Sequence, residues 1–289
     1  MANLAELISQ KTQKDEQWKA EKAAERENAV AMQDTGISLI ASDPDAYARY
    51  LDMQGVNYMY SPGNIALAMV QNPELSVIGT KDRWRTLNRS IRDGEQEKGV
   101  QIFARSPLGK GYSLAYAYDI TQTAGRELRK PHLEDDSPQM ASALSVLLNY
   151  SVVPIKTDDQ MEEAAYYDPN RMELYVNPNV ADHTAFAAIA AEIAHVRFHS
   201  KGANSGYSRD DYELDAQSVS YLLCKRFGVE CEMPELSGLL ALYQDWSPQE
   251  IRQALDAVQD MSKQIGGSID KAISPQQHMR GQAQRRPAR

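Results

Sequence analysis

The chain has 289 residues, a net charge of −9, and 42% hydrophobic against 25% charged residues. That is enough sequence for two compact domains, with the composition of an ordinary soluble globular protein. It excludes a membrane-spanning chain, because no apolar run approaches ~20 residues. It also excludes a disulfide framework or a cysteine zinc cluster, because Cys224 and Cys231 are the only cysteines, and a uniformly basic nucleic-acid binder.

Residues 1 to about 33 read as a polar helix with a short apolar stripe of Leu4, Leu7 and Ile8. It is a charged arm suited to binding a partner or to remaining poorly ordered. Met1 to Arg26 is charged throughout and holds no apolar signal core, which predicts a cytoplasmic location. Ser42-Asp43-Pro44 and Ser61-Pro62 each place a cap residue before a first-turn proline, so each opens a helix. The second of these carries Ile65, Leu67, Ala68 and Met69 and is expected to be buried. Thr80 to Asn88 reads as a short basic helix around Trp84. A β-hairpin follows, with strands Val100 to Arg105 and Tyr112 to Ile120 around a Ser106 to Gly111 turn. Tyr112, Leu114, Tyr116 and Tyr118 alternate onto one face. Thr121 to Pro138 is polar, bounded by proline, and reads as a domain boundary.

The second half opens with a helix around Met140 to Asn149. A hairpin then pairs strands near Glu163 to Tyr167 and Arg171 to Val176 through Asp168-Pro169-Asn170. After Asn177-Pro178-Asn179 comes a long helix, then one capped by Ser208-Arg209-Asp210-Asp211 and running to about Phe227. Ser247-Pro248-Gln249-Glu250 is a capping box opening a final helix through Ile265. From Gly266 the composition predicts a flexible basic tail. Cys224 and Cys231 read as reduced thiols, with Cys224 a small buried residue.

Charge is unevenly spread. Lys81 to Lys110 holds eight Lys/Arg and four Asp/Glu, whereas His132 to Asp182 holds ten Asp/Glu and two Lys/Arg. With screening over ~8 Å, the basic stretch can act locally despite the acidic total. It combines arginines and lysines for phosphate contact (Arg83, Arg85, Arg89, Arg92, Lys98, Arg105, Lys110) with rings for base stacking (Tyr58, Tyr60, Trp84, Phe103, Tyr112, Tyr116, Tyr118). Those are the two ingredients of a single-strand binder. The competing reading is that the aromatic stripe is core packing and the arginines a solvated helix face.

Ala191-Glu192-Ile193-Ala194-His195 is the zinc-peptidase signature H-E-x-x-H with its first histidine replaced by alanine. In the intact motif two histidines four apart hold zinc and the glutamate is the general base. On a helical wheel Phe186, Ile189, Ile193 and Val196 face the core, and Glu192, His195 and His199 form an adjacent polar strip. In the peptidases this helix resembles, the third ligand is an acidic residue on the next helix. Gln217 holds the matching place here, and a neutral amide is a poor zinc ligand. Three readings stay open: a dead site with Glu192, His195, His199 and Gln217 as remnants; a rearranged zinc site using His195 and His199 with Asp215 or Glu213; or a polar strip that acts without metal or binds a partner. His132 and His183 read as loop histidines, and His278 carries no visible chemistry.

Several segments taken together resemble a known family. Tyr50-Leu51-Asp52-Met53-Gln54, Tyr60-Ser61-Pro62-Gly63-Asn64, Trp84, Glu97 to Phe103 and Tyr118 to Thr123 resemble the N-terminal single-stranded-DNA-binding domain of ArdC-type antirestriction proteins, carried by conjugative plasmids and other mobile elements. The C-terminal half resembles the zincin-like metallopeptidase domain of that family, related to the ImmA/IrrE peptidases. The resemblance covers roughly residues 40 to 230. It implies an α+β protein: a charged helical arm (1–39), an α+β DNA-binding domain (40–130), a mostly helical zincin-like domain with a small sheet (139–265) and a basic tail (266–289). It further implies sequence-tolerant binding of single-stranded DNA and protection of incoming DNA. The expected contacts are Tyr60, Asn64, Arg83, Trp84, Arg85, Arg89, Lys98, Phe103, Arg105, Tyr112 and Tyr116. Ala191 and Gln217 depart from the pattern. No cofactor is therefore expected, zinc being the alternative, and the second domain or the arm is left to bind a protein partner. The rival reading is a working zinc peptidase.

Overall fold

The first helix begins as the exposed arm its polar stretch suggests but ends inside the core. In a computed structural model, which describes residues 3–106, 109, 111–128, 131–200 and 206–274, α1 runs Leu4–Ser42. Its first two dozen residues are almost wholly exposed, but Ala29, Gln33, Gly36, Ile37, Ile40 and Ala41 are buried. The arm expected over 1–39 thus ends as a core helix. Gly36 makes this possible. A Cβ there would stand 2.6 Å from the Ala66 carbonyl oxygen, so only glycine lets α1 cross α3 (Pro62–Gln71) this closely. α2 (Pro44–Val56) and α3 begin where the caps predict, with the Asp43 and Ser61 side chains accepting from Asp45 N and Asn64 N.

The hairpin is present as β3 (Val100–Arg105) and β4 (Tyr112–Asp119), joined by β1 (Ile78–Thr80) into an antiparallel sheet of order β1-β4-β3. Tyr118 is buried, while Tyr112 and Tyr116 are exposed, so the predicted stripe divides partway along the strand. The free edge of β3 is closed by α3. Asn64 donates to Phe103 O at 2.9 Å and accepts from Phe103 N at 2.8 Å, and Gln71 does the same with Gln101 at 2.9 and 2.8 Å. Two amides two helical turns apart thereby satisfy a strand edge that would otherwise be open to pairing. α4 (Lys81–Thr86) carries Trp84, and β2 (Arg89–Ile91) pairs with β5 (Thr123–Gly125).

In the second half α5 spans Pro138–Asn149. A mixed sheet of order β6-β8-β7 follows, from β6 (Ile155–Thr157), β7 (Ala165–Asp168) and β8 (Glu173–Val176). α6 (Asp182–Ser200) and α7 (Arg209–Phe227) pack against each other, with the short α8 (Leu239–Tyr243) beyond. Ser208 stands at the N-cap of α7, but its side chain makes no cap bond. α9 runs Pro248–Ile273, continuing past Ile265 where the flexible tail was expected to start. Ile265 and Ile269 are buried, and Gly266 leaves room for the Arg226 guanidinium where a Cβ would collide with it. The rest of the expected tail (275–289), with His278, and Lys110 of the hairpin turn lie outside the described residues. One buried apolar cluster runs from Ile37 and Tyr47 in the first half to Phe186, Leu223 and Ile269 in the second. The protein is α+β, as expected.

Candidate functional site

The damaged motif sits in the middle of α6, and its polar side chains are all engaged. Glu192, only 4% exposed, accepts the Tyr167 backbone N–H of β7 at 2.7 Å. Arg209, the first residue of α7, grips the same carboxylate in a fork, Nη1 to Oε2 at 2.8 Å and Nη2 to Oε1 at 2.6 Å. Its Nε lies 3.5 Å from Glu213 Oε2, and its guanidinium sits over the Tyr166 ring at 5.1 Å. One organic cation therefore spans both carboxylates of the site.

His195 is fully buried. Its Nδ1 lies 2.9 Å from Tyr207 Oη and its Nε2 3.2 Å from Glu213 Oε2. The second contact is at ion-pair distance but out of line for a hydrogen bond. Burial holds the Tyr207 phenol above its ordinary range, so it stays protonated and is free to donate to Nδ1. That assigns the ring proton to Nε2, facing the carboxylate. His195, with Gln217 and Arg209 behind it, holds the Glu213 carboxyl down at about 2 against the opposing effect of burial. Gln217 supplies the well-directed bond, Nε2 to Glu213 Oε1 at 2.9 Å. The acid facing His195 is thus Glu213, one turn before the Gln217 position marked from sequence. His199 bonds Tyr167 Oη through Nδ1 at 2.7 Å and stacks on Tyr207 at 4.4 Å and 13°.

These residues do not fit a divalent cation. Ala191 offers a methyl group where the first ligand would stand, and a guanidinium already balances the nearby carboxylates. Among the described residues no group of three or more His, Cys, Asp or Glu is placed to hold a metal ion. Of the rearranged set, Glu213 faces His195, but His199 is turned to Tyr167 and stacked on Tyr207. Asp215 is two residues, some 200° of helix, from Glu213 and lies by the buried Tyr47 and Tyr50.

The residues predicted to meet DNA fall into three groups. Tyr60, Arg83, Trp84 and Arg89 line one groove of about 960 Å³, together with Tyr58 and Arg126. Trp84 is a wall of this groove, not a stacking platform. It is 1% exposed, and its Nε1 donates to Tyr118 O at 2.9 Å. Arg89 is held by Thr123 Oγ1 at 2.8 Å and Arg126 O at 2.6 Å. Arg83 and Arg126 are exposed at the rim. Tyr60 also lines a second cleft, of about 660 Å³, with Asn64, Phe103, Arg105 and Tyr112. Asn64 spends its amide on β3, and Phe103 lies under the Arg26 guanidinium at 5.3 Å. Arg85, Lys98 and Tyr116 line neither cavity. Arg85 pairs with Asp82 at 2.5 Å and Lys98 with Glu95 at 2.7 Å, while Tyr116 is half exposed. Sequence reasoning missed Arg126, which lies outside the Lys81 to Lys110 basic stretch in a segment read as a domain boundary, and Arg209, which it took only as part of a cap.

Fold and site together define an α+β protein in which a cation-rimmed sheet region packs against a helical half whose helix α6 carries Glu192 and His195, with no metal-ligand set among the described residues. No protein-family model matches the sequence, and no curated protein matches it. Among solved structures, the fold is that of the antirestriction protein ArdC from the R388 plasmid. Its Mn(II)-bound crystal structure aligns with 85% of this chain and 98% of its own at a TM-score of 0.50 and 17% identity. The metal-free structure of the same protein aligns with 75% of this chain and 86% of its own, with a TM-score of 0.44 and 15% identity.

Proposed function

We propose that this chain binds single-stranded DNA with little sequence preference, as an antirestriction-type protein of a mobile element that shields incoming DNA. The observation carrying this reading is the 960 Å³ groove, where Arg83, Arg89 and Arg126 gather beside the Tyr58 and Tyr60 rings. Exposed cations supply phosphate contacts at the rim, and the half-buried Tyr60 and the face of Tyr58 not covered by the Arg226 guanidinium at 3.8 Å supply stacking. The shared fold adds support, because ArdC is described as an antirestriction protein. Residues 40–130 would form most of the binding unit and 139–265 a zincin-like companion. No described helix is long and apolar enough to cross a membrane.

The peptidase-type centre is, on this reading, a metal-free structural remnant. Arg209 supports that view by placing its charge between Glu192 and Glu213. The companion domain, or the exposed N-terminal part of α1 with Leu7 and Trp18, is then free to hold a protein partner. The test is fluorescence anisotropy of the purified chain with labelled oligo-dT across a salt series. About five phosphate contacts give a slope of log affinity against log salt near −3.5. Absence of binding at low salt, together with stoichiometric zinc and proteolysis, would establish the working peptidase instead.

A further inference from the structure

We infer that the 660 Å³ cleft walled by α9 is a second subsite on the same strand path, holding an unpaired base that carries an exocyclic amino group. This rests on the DNA-binding reading and extends it to the C-terminal half. The first argument is continuity. Met59 and Tyr60 line both the groove and the cleft, and Met59 is exposed at the corner between them. A chain leaving the groove over this corner enters the cleft. The corner is held firmly: Gln54 Nε2 donates to Tyr60 O at 3.1 Å, and Gln259 Nε2 donates to Tyr58 O at 2.6 Å and to Tyr60 O at 3.2 Å.

The second argument is the cleft's own chemistry. Arg105 from the hairpin and Lys263 from α9 offer cations for phosphate, and Tyr112 is a 58% exposed ring. A cavity of this size takes one small ligand with a few placed polar groups. Two of those groups are acceptors on α9. Gln259 is 3% exposed, its amide nitrogen is committed to two carbonyls, and its Oε1 has no hydrogen-bond partner among the described residues. That oxygen is enclosed, so Gln259 has to shift towards the cleft for a donor from a ligand to satisfy it. Asp256, one turn earlier on α9, lines the same cleft. Although Arg252 Nε stands 3.8 Å away, burial, with Asp260 nearby, raises the Asp256 carboxyl above the ordinary range. A donor reaching it would offset that cost. Cytosine N4 and adenine N6 are such exocyclic donors, whereas thymine offers only its ring N3–H, flanked by two carbonyl oxygens that the acceptors of the cleft would repel.

Anisotropy of the full chain with labelled dC12 and dT12 at pH 8 and low salt tests this. We expect dC12 to bind about fivefold more tightly than dT12, the effect of one hydrogen bond. Asp256→Ala should lose that preference, chiefly by weakening dC12. Lys263→Ala, at an exposed position, should weaken both oligonucleotides several-fold. If neither oligonucleotide binds, the DNA-binding reading itself has failed. If both bind and depend on Arg83 and Arg126, yet dT12 equals or exceeds dC12 and the two α9 variants match wild type, the groove stands and this subsite is overturned.

Discussion

Arg209 closes on Glu192 through two hydrogen bonds of 2.8 and 2.6 Å, across the pair formed by α6 and α7. The carboxylate is nearly buried, so this pairing decides whether the region is stable. Removing one member of a buried pair leaves an uncompensated charge. Arg209→Ala should therefore lower stability by roughly 3 kcal/mol in chemical denaturation. Arg209→Ala with Glu192→Gln should recover much of that loss, because no charge is then stranded. A single variant as stable as wild type would mean the fork contributes nothing.

The same geometry predicts how metal binding is regained. Ala191→His restores a histidine one turn before His195, but the guanidinium remains between the two carboxylates. We expect Ala191→His alone to bind zinc weakly or not at all. Combined with Arg209→Ala it should bind near one equivalent, through the new imidazole, His195 and Glu213. Calorimetric titration of the apo protein reads this directly, and equal zinc binding by both variants would show that Arg209 is no obstacle.

The helices were legible from sequence because their start signals are local. Asp43, Ser61 and the Ser247–Glu250 capping box all open helices where expected. The α6 motif also stood out, because its spacing lies within one helix. β1, β2, β5 and β6 are three residues each, too short to show a period-two pattern. Arg209 left no such mark. Its partner is seventeen residues away on another helix, and its neighbours Ser208 and Asp210 read as a cap. Trp84 went the other way: an aromatic among arginines reads as a base platform, but its indole N–H reaches a β4 carbonyl and draws the ring inside. The burial of the last third of α1 was missed because its buried residues begin only at Ala29, after a charged stretch that dominates the pattern.

Two acids on α7 titrate in opposite directions. Asp215 is partly exposed as a residue, but its Oδ1 is enclosed without a partner among the described residues, and burial pushes its carboxyl up from 3.8 to about 7. A carboxyl whose folded value is raised favours the folded state at low pH. Its cost to stability appears as pH rises from about 4 through about 7 and is complete above that. Glu213 has the reverse sign. Lowered to about 2, it contributes stability that is present above about 4.5 and is lost as pH falls towards 2. Thermal melts should therefore show greatest stability near pH 4, where the Glu213 contribution is nearly complete and the Asp215 cost has barely begun. Asp215→Asn should raise the melting temperature at pH 8, by the equivalent of about 1–2 kcal/mol, with the gain gone by pH 4. A gain independent of pH would place its origin elsewhere.

The crossing of α1 and α3 sets how the long first helix joins the core, and Gly36 controls it. In Gly36→Ala the new methyl would press on the Ala66 carbonyl, which is backbone inside a buried helix and has no rotamer to escape into. α1 would have to lift away, loosening Ile37 and Ile40, both fully buried. Overpacking of this kind costs about 1–3 kcal/mol, more than the ~1 kcal/mol of helix propensity that alanine brings over glycine. The variant should thus be less stable in urea titration, although propensity alone predicts a gain. Gly267 is the internal control: a Cβ there meets nothing within 4 Å, so Gly267→Ala should stabilise α9 by up to ~1 kcal/mol. Stabilisation by both substitutions would show that the α1–α3 approach is looser than described.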